Sequence, residues 1–381
     1  MRWLILTSAT GTGHNMRADS LRQWAEQVYG EAVEIRVHQV LENTHALYRF
    51  GVGLYNFIQR RAPWLHHLYF NYLEIAGMHR RGARILGRDT FTRLIRDWPP
   101  DRVISVHAHT NHGFFDLVRT ALPDRPVRCL TYCGELSGGY GFSRHWANPR
   151  ADGFIGATRE ICAAALAVGM PETKVLWGGF LLRPPFFAPE AEIEHEADLL
   201  ACELGLDRST FTLLLSTGLA GANNHLAILR RLAATGKKLQ IVALCAYNTR
   251  VRSQIEAFAA SHPHLTIRAL AHTDRMVGLK RLASAIVARP GTGATSEAIL
   301  LGTPLIHNGI GGVMPQELIT VQYCRQHACA LFAGSAEDVA RQTIHLLEHP
   351  EEAAALRARL RDARPTGHPE NIVRWIAGET P

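Results

Sequence analysis

The sequence predicts two doubly wound α/β domains facing one another with a ligand between them. Two observations carry that prediction. Apolar strand-like runs alternate with helix-like runs along both halves of the 381 residues, which is the rhythm of βαβ units. In each half, moreover, one strand breaks into a glycine-rich turn before a helix. Trp3-Leu4-Ile5-Leu6 leads into Ser8-Ala9-Thr10-Gly11-Thr12-Gly13-His14. Ala285-Ile286-Val287-Ala288 leads into Arg289-Pro290-Gly291-Thr292-Gly293-Ala294-Thr295-Ser296-Glu297. Such a turn aims free backbone N–H groups and the positive end of a helix dipole at whatever docks there. A histidine in the first turn and a carboxylate in the second point to an enzyme with a phosphorylated or nucleotide-bearing substrate.

Taken in order, strands are expected at 3–8, 33–38, 102–106, 127–131, 153–155 and near 174–177, with a helix opening after Gly13 and running through Leu21 and Trp24. Prolines break every regular pattern over 178–189, so the interdomain linker falls there. A second set of strands follows at 210–215, 239–244, 265–269, 285–288 and 304–307. Helices fill 335–362, and 371–376 is a last short helix. The expected domains are therefore 1–185 and 190–362, with 363–381 as a C-terminal helix packing back on the first.

Composition narrows the class. A hydrophobic content of 47% with 20% charged residues describes a folded chain. No apolar stretch reaches bilayer-spanning length and the first run is too short for a signal peptide, so a cytoplasmic protein is expected. The seven cysteines form no C-x-x-C pair and read as reduced thiols. No H-E-x-x-H occurs among the 20 histidines. His107 and His109, with His112, follow the strand 102–106, where ligands gather at the carboxyl ends of open sheets, and read as substrate contacts rather than metal ligands.

The net charge of +7 is uneven, with 22 Lys and Arg against 16 Asp and Glu over residues 1–190. Much of the excess lies in the segment 46–96. There Tyr55, Phe57 and Trp64 interleave with Arg60, Arg61, Arg80, Arg81, Arg84 and Arg88, against only Glu74 and Asp89. Rings at the headgroup boundary beside guanidinium groups on lipid phosphates suit an anionic membrane surface. An amphipathic helix pair packed on the domain is the plainer alternative. Nucleic acid is not expected, because no binding motif accompanies the patch.

The turns carry the chemistry. The first lacks the third glycine of the dinucleotide fingerprint, having Met16 there. His14 sits where loop meets helix and is placed to accept a proton from an attacking hydroxyl. In the second turn, amides around Gly291, Gly293, Ala294 and Thr295 suit a diphosphate, and Glu297 suits a ribose diol. Ser216 and Gly218 end the first strand of the second half and suit the same diphosphate. Gln316 and Glu317, in Met314-Pro315-Gln316-Glu317, suit sugar hydroxyls.

At these residues the chain resembles the GT-B glycosyltransferases. The likeness is to the peptidoglycan enzyme that adds N-acetylglucosamine to lipid I, and more closely to monogalactosyldiacylglycerol synthases and processive diacylglycerol glucosyltransferases. Thr10 to His14 is similar to the family's T-G-x-G-H loop; Gly291, Glu297-Ala298, Gly302 and Pro304 are similar to its G-x-x-x-x-x-E-A and G-x-P pattern. Pro315-Gln316-Glu317 resembles its P-x-Q-E without the spacer, and Pro100-Asp101 through Ser105 to His107 resembles the strand that begins P-D and ends S-x-H.

The resemblance implies two Rossmann-like domains facing a cleft, and inverting, metal-independent transfer of a hexose or N-acetylhexosamine from a UDP-sugar to a membrane lipid such as diacylglycerol. It implies no cofactor beyond that donor substrate, and peripheral attachment to the inner face of the cell membrane. The carry-over gives Glu297 the ribose, Gly293, Ala294 and Thr295 the diphosphate, and Gln316 and Glu317 the donor sugar; the sequence itself adds Arg289, in the second turn, to the donor set, and Tyr55, Phe57, Arg60, Arg61, Trp64, His107 and His109 as the acceptor and membrane set. The chain departs from the family where the lipid synthases have a T-D dipeptide: it has Thr131-Tyr132-Cys133-Gly134-Glu135 and then a glycine-rich stretch, which makes Glu135 the substitute acid. His14 and Glu135 are thus the two candidate bases. The rival readings are a UDP-sugar 2-epimerase of the same fold, a transferase with a non-lipid acceptor, and a non-catalytic lipid- or nucleotide-binding protein.

Overall fold

The computed structural model describes the chain apart from residues 62–64, 78, 217–223 and 380–381, and for Arg60 and Arg61 the backbone alone. Trp64, Gly218 and the side chains of Arg60 and Arg61 therefore lie outside the described residues. The chain divides into two compact units. The first comprises Met1–Pro184, Met314–Ile319 and the residues from Pro365 on; the second comprises Pro185–Val313 and Thr320–Arg364.

The first unit holds β1 (Arg2–Thr7), β2 (Glu34–Gln39), β3 (Arg102–Ser105), β4 (Arg128–Cys133), β5 (Gly153–Gly156) and β6 (Val175–Trp177). All pair in parallel, in the order β2-β1-β3-β4-β5-β6. The second unit holds β7 (Thr212–Ser216), β8 (Gln240–Ala246), β9 (Thr266–Ala271), β10 (Ala285–Ala288), β11 (Leu305–Asn308) and β12 (Leu331–Ala333). These are also all parallel, in the order β12-β11-β10-β7-β8-β9. Parallel sheets are covered on both faces, so their central strands read as continuous apolar runs rather than alternations. Trp3, Leu4, Ile5 and Leu6 are completely or almost completely buried, as are Leu213, Leu214 and Leu215. Each such side chain contributes about 2 kcal/mol of apolar burial.

The strand order decides where ligands can sit. In the first sheet the chain runs from β1 to the edge at β2 and returns to the other side of β1 at β3. In the second it runs from β7 outward through β8 and β9 and returns beside β7 at β10. Each return is a topological switch point, where the loops diverge and leave a crevice at the carboxyl ends of the strands. Both glycine turns lie at the switch points of their own sheets.

One departure from expectation has a physical cause. β12 went unforeseen because it is three residues long with Phe332 partly exposed, too short for a strand signal. The segment 46–96 interrupts the βα rhythm with three helices, Ala46–Arg61, His66–Ala76 and Arg88–Asp97, placed between β2 and β3. The first unit is closed by the helix Pro369–Ala377. Its terminal carbonyls accept N–H groups from two arginines at the starts of strands: Arg102 binds Ile376 O at 2.8 Å and Ala377 O at 2.6 Å, and Arg128 binds Trp375 O at 2.7 Å. Cations at a helix C-terminus satisfy its orphan carbonyls and its dipole together.

Candidate functional site

At the first switch point the glycine loop is clamped by side chains from outside it. Glu42 accepts from Ser8 Oγ at 2.9 Å and from Ala9 N at 2.6 Å. Asn56 is reciprocal: its Oδ1 accepts from Gly11 N at 3.0 Å and its Nδ2 donates to Ala9 O at 2.9 Å. The helix that follows, Gly13–Tyr29, has no side-chain cap, so its first amides face outward.

The histidine tautomers follow from their partners. His14 Nδ1 lies 2.9 Å from Val106 O, a pure acceptor, so Nδ1 carries the proton and Nε2 is the bare nitrogen. His107 Nδ1 accepts from His109 N at 3.1 Å, so its proton is on Nε2 and is donated to Thr10 Oγ1 at 2.9 Å. Burial, then the nearby Arg17 charge, push the His14 imidazole down to about 3. It stays neutral at ordinary pH.

Arg17 lies one helical turn past His14, on the same face. Its Nη2 donates to Gly134 O at 2.9 Å and its Nη1 lies 3.8 Å from Glu135 Oε1, with both residues buried. Burial raises the Glu135 carboxyl and Arg17 opposes that rise; the net direction is up. The two candidate bases are thus driven in opposite directions around one guanidinium. The sequence reading missed Arg17, although its spacing from His14 was the available signal.

Behind His107 lies a run of further rings. His79, His109, His112 and His145 approach one another with centroids 5.1 to 6.3 Å apart. Burial is the largest cause lowering all four, to about 4 for His79 and His112. Among the described residues no group of three or more His, Cys, Asp or Glu is arranged to hold a metal ion.

The turn at 314–319 belongs to the first unit. Glu317 folds back on it, accepting from Met314 N at 2.9 Å. Gln316 Nε2 donates to the Tyr55 hydroxyl at 2.6 Å, which turns its amide oxygen to other partners. Gly141, at φ +109, lies so close that a Cβ there would meet Pro315 O at 1.9 Å. Tyr55 therefore points inward onto Gln316 rather than to a surface. The apolar face of its helix is built by other residues: Leu47, Phe50, Leu54 and Phe57 recur at helical spacing and are exposed, as are Leu68, Tyr72 and Ile75 on the next helix. Phe50 is 67% and Ile75 81% exposed. Among the described residues no helix is long and apolar enough to cross a membrane.

At the second switch point, Ser216 ends β7 and the helix Thr292–Leu301 begins just after β10, without a side-chain cap. Around Gly291 and Gly293 there is open space: a Cβ at either position would meet nothing within 4 Å. The amides of Gly293 and Ala294 stand in the first turn, where helices have no internal partner. Thr295 is turned the other way. Its amide donates to Gly291 O at 3.1 Å and its hydroxyl lies 3.1 Å from His307 Nε2, fully buried. Arg289 holds the loop beyond: Nη1 donates to Ile310 O at 3.1 Å and Nη2 to Gly312 O at 2.7 Å. Glu297 is buried against Lys280, with Oε2 at 2.6 Å from Nζ. Lys280 and His307 were missed in the sequence; a lone lysine inside the apolar helix Met276–Leu282 was the readable sign.

Comparison with solved structures identifies this architecture. The chain superposes on MurG of Acinetobacter baumannii with a TM-score of 0.61 at 14% identity, over 99% of this chain and 100% of that one. The fold is GT-B. UDP-GlcNAc 2-epimerase of Neisseria meningitidis, bound to UDP-GlcNAc, matches the same GT-B chain with a TM-score of 0.60 at 13% identity, over 99% of each. Among curated proteins the GT-B chain is similar to a probable chloroplastic monogalactosyldiacylglycerol synthase of Glycine max, 23% identical over 89% of this chain and 63% of that one. A processive diacylglycerol beta-glucosyltransferase of Bacillus licheniformis is 22% identical over 90% of this chain and 86% of its own length. The chain thus spans 63%, under two thirds, of the Glycine max synthase and of monogalactosyldiacylglycerol synthase 1 of Arabidopsis thaliana. No protein-family model matches it.

Proposed function

We propose that this GT-B protein is an inverting, metal-independent glycosyltransferase that moves a hexose or N-acetylhexosamine from a UDP-sugar to a membrane lipid such as diacylglycerol. The observation that carries the reading is the unlike chemistry of the two switch points, imidazole and carboxylate at one, bare helix amides beside a carboxylate at the other. Similarity to proteins named for diacylglycerol glycosylation supports the lipid acceptor.

In this mechanism Glu135 is the general base. A carboxyl raised by burial lies nearer neutral pH and takes a proton better than an imidazole held near 3. His14, neutral and with Nε2 bare, orients the acceptor hydroxyl. The acceptor oxygen forms a bond to the anomeric carbon as its proton passes to Glu135. The bond from that carbon to the diphosphate oxygen breaks on the opposite face, and its electron pair leaves with UDP. The amides of Gly293 and Ala294 stabilise the charge that develops there. Glu297 holds the ribose through Oε1 while Lys280 holds Oε2. Gln316 receives sugar hydroxyls on its amide oxygen. The exposed face of Leu47, Phe50, Leu54 and Phe57, with Arg80, Arg81, Arg84 and Arg88 exposed nearby in sequence, rests on the inner surface of the cell membrane.

The test is UDP release from a panel of UDP-sugars in EDTA, with and without liposomes containing diacylglycerol. Lipid-dependent release from one donor is the expected result. The similarity to the Neisseria epimerase supports a second reading, interconversion of UDP-N-acetylhexosamines without UDP release, and the same assay separates the two. Silence on both counts would overturn the catalytic reading.

A further inference from the structure

The second unit carries another polar cavity, apart from its glycine turn. It has a volume of about 500 Å³ and is walled by five arginines, Arg208, Arg281, Arg357, Arg361 and Arg364, with two carboxylates, Glu190 and Glu194. Leu301 and Gly302 also line it, so it lies at the far end of the helix Thr292–Leu301 from the glycine turn. At 1.5 Å per residue that is roughly 14 Å along the axis.

The charges do not balance. Both carboxylates are already committed: Glu190 to Arg281, and Glu194 to Arg281 at 2.6 Å and to Arg208 at 2.8 Å. Among the described residues no carboxylate pairs with Arg357, Arg361 or Arg364. Arg357 donates one N–H to Ser284 O at 3.3 Å, and Arg364 donates Nε–H to Ile299 O at 3.1 Å. A guanidinium has five N–H donors, so most of theirs remain unused. Burial lowers the pKa of Arg357 and Arg364, and the neighbouring guanidiniums of Arg281 and Arg361 lower both further, with the Glu190 carboxylate offsetting part of that fall at Arg364. Capping the helix C-terminus accounts for one cation, not for this surplus.

We infer that this cavity binds a phosphate-class dianion, with Arg357, Arg361 and Arg364 as its ligands. Planar guanidinium forks match the tetrahedral oxygens of phosphate bidentately, and a dianion relieves the repulsion among the three. The ligand is inorganic phosphate, or the phosphomonoester headgroup of a lipid. The site stands on its own residues and does not depend on the transferase reading.

Calorimetric titration of the full chain with sodium phosphate, against sodium chloride at matched ionic strength, tests it. Repeating the titration with UDP present blocks any phosphate uptake at the glycine turn. Phosphate is expected to bind with and without UDP, and Arg361→Ala to weaken that binding at least tenfold while leaving UDP affinity unchanged. Arg361 is exposed and carries no carboxylate partner, so the fold does not lean on it. Should that variant fail to fold, Arg361→Lys takes its place, with a single compact donor expected to weaken binding several-fold. Flotation with phosphatidic acid vesicles against phosphatidylcholine vesicles decides the source. Arg361-dependent flotation assigns the headgroup; flotation unchanged while phosphate binding is lost assigns the free ion. Phosphate binding no tighter than chloride, or an Arg361 variant that titrates like the wild type, overturns the site.

Discussion

The two glycine turns occupy equivalent places in two similar sheets, yet they are built in different ways. The first is fixed from outside by Glu42 and Asn56 and surrounded by titratable rings, with Arg17 between His14 and Glu135. The second is fixed from beneath by buried pairs, Thr295 to His307 and Glu297 to Lys280, and leaves its outward amides bare. A switch point supplies a crevice and a helix end. The residues packed behind it set the chemistry of the crevice, titratable rings and a carboxylate at one, bare amides above buried pairs at the other.

Several substitutions would break or sharpen that contrast. At the first turn, with Glu135 proposed as the general base, Glu135→Gln should lower kcat by about 10²- to 10⁴-fold, the usual worth of such a base. Its pH profile should also lose the acid limb. Because burial raises the Glu135 carboxyl, wild-type activity climbs as pH rises through that elevated value, whereas His14, at about 3, contributes no limb near neutrality. A Glu135→Gln profile that keeps the wild-type limb would move the base elsewhere.

At the second turn, Lys280→Met strands a buried carboxylate and should cost about 3–5 kcal/mol of stability, read as a fall in urea midpoint. Adding Glu297→Leu should recover most of that loss without recovering UDP-sugar affinity. If affinity returns along with stability, Glu297 has no part in binding.

The histidine cluster makes the first unit acid-sensitive, and burial lowers His225 and His307 of the second unit in the same direction. His79 and His112 fall to about 4 in the folded protein against 6.5 unfolded, so between those values the unfolded chain binds more protons. Their contribution is intact above pH 6.5 and is lost as pH falls toward 4, by about 3 kcal/mol each when complete. Chemical denaturation followed at several pH values should show that decline. His79→Gln should flatten it.

Two smaller effects concern the helix Ala46–Arg61. Phe50→Ser with Phe57→Ser should weaken vesicle binding at least tenfold, each ring being worth about 2 kcal/mol of apolar transfer, and should leave UDP affinity unchanged. Tyr55→Phe removes one hydroxyl from Gln316. A donor KM several-fold higher is expected, in line with the ~1 kcal/mol of one hydrogen bond, with vesicle binding unaltered.

Much of the fold was legible because parallel strands buried on both faces write themselves as apolar runs: Trp3 to Leu6 and Ala285 to Ala288 each preceded a turn whose glycines were visible at once. β12 was not legible, since three residues carry no period. Within the site, residues in the turns could be named, but not the side chains that reach them from far along the chain. Asn56 lies 45 residues from Gly11, and His307 is one more apolar-strand residue until Thr295 is seen against it. Glu297 could be picked out from its place in the motif and proposed as a ribose ligand. That it also anchors a buried lysine is a tertiary fact. Composition places Tyr55 with the membrane aromatics because it does not say which face of a helix a ring occupies; one residue earlier, Leu54 is exposed, and Tyr55 looks inward onto Gln316.

The helix Pro369–Ala377, held by Arg102 and Arg128, has a consequence for how the protein is born. On the ribosome domains generally fold as they emerge, the earliest first. Here the first unit is split along the chain, so the starts of two of its strands stay uncapped until the second sheet has been synthesised and the helix Pro369–Ala377 follows. The second unit can be complete by Arg364, while the first is still open. A chain cut shortly before Pro369 would therefore keep the strands of both sheets and yet leave Arg102 and Arg128 without the carbonyls they hold.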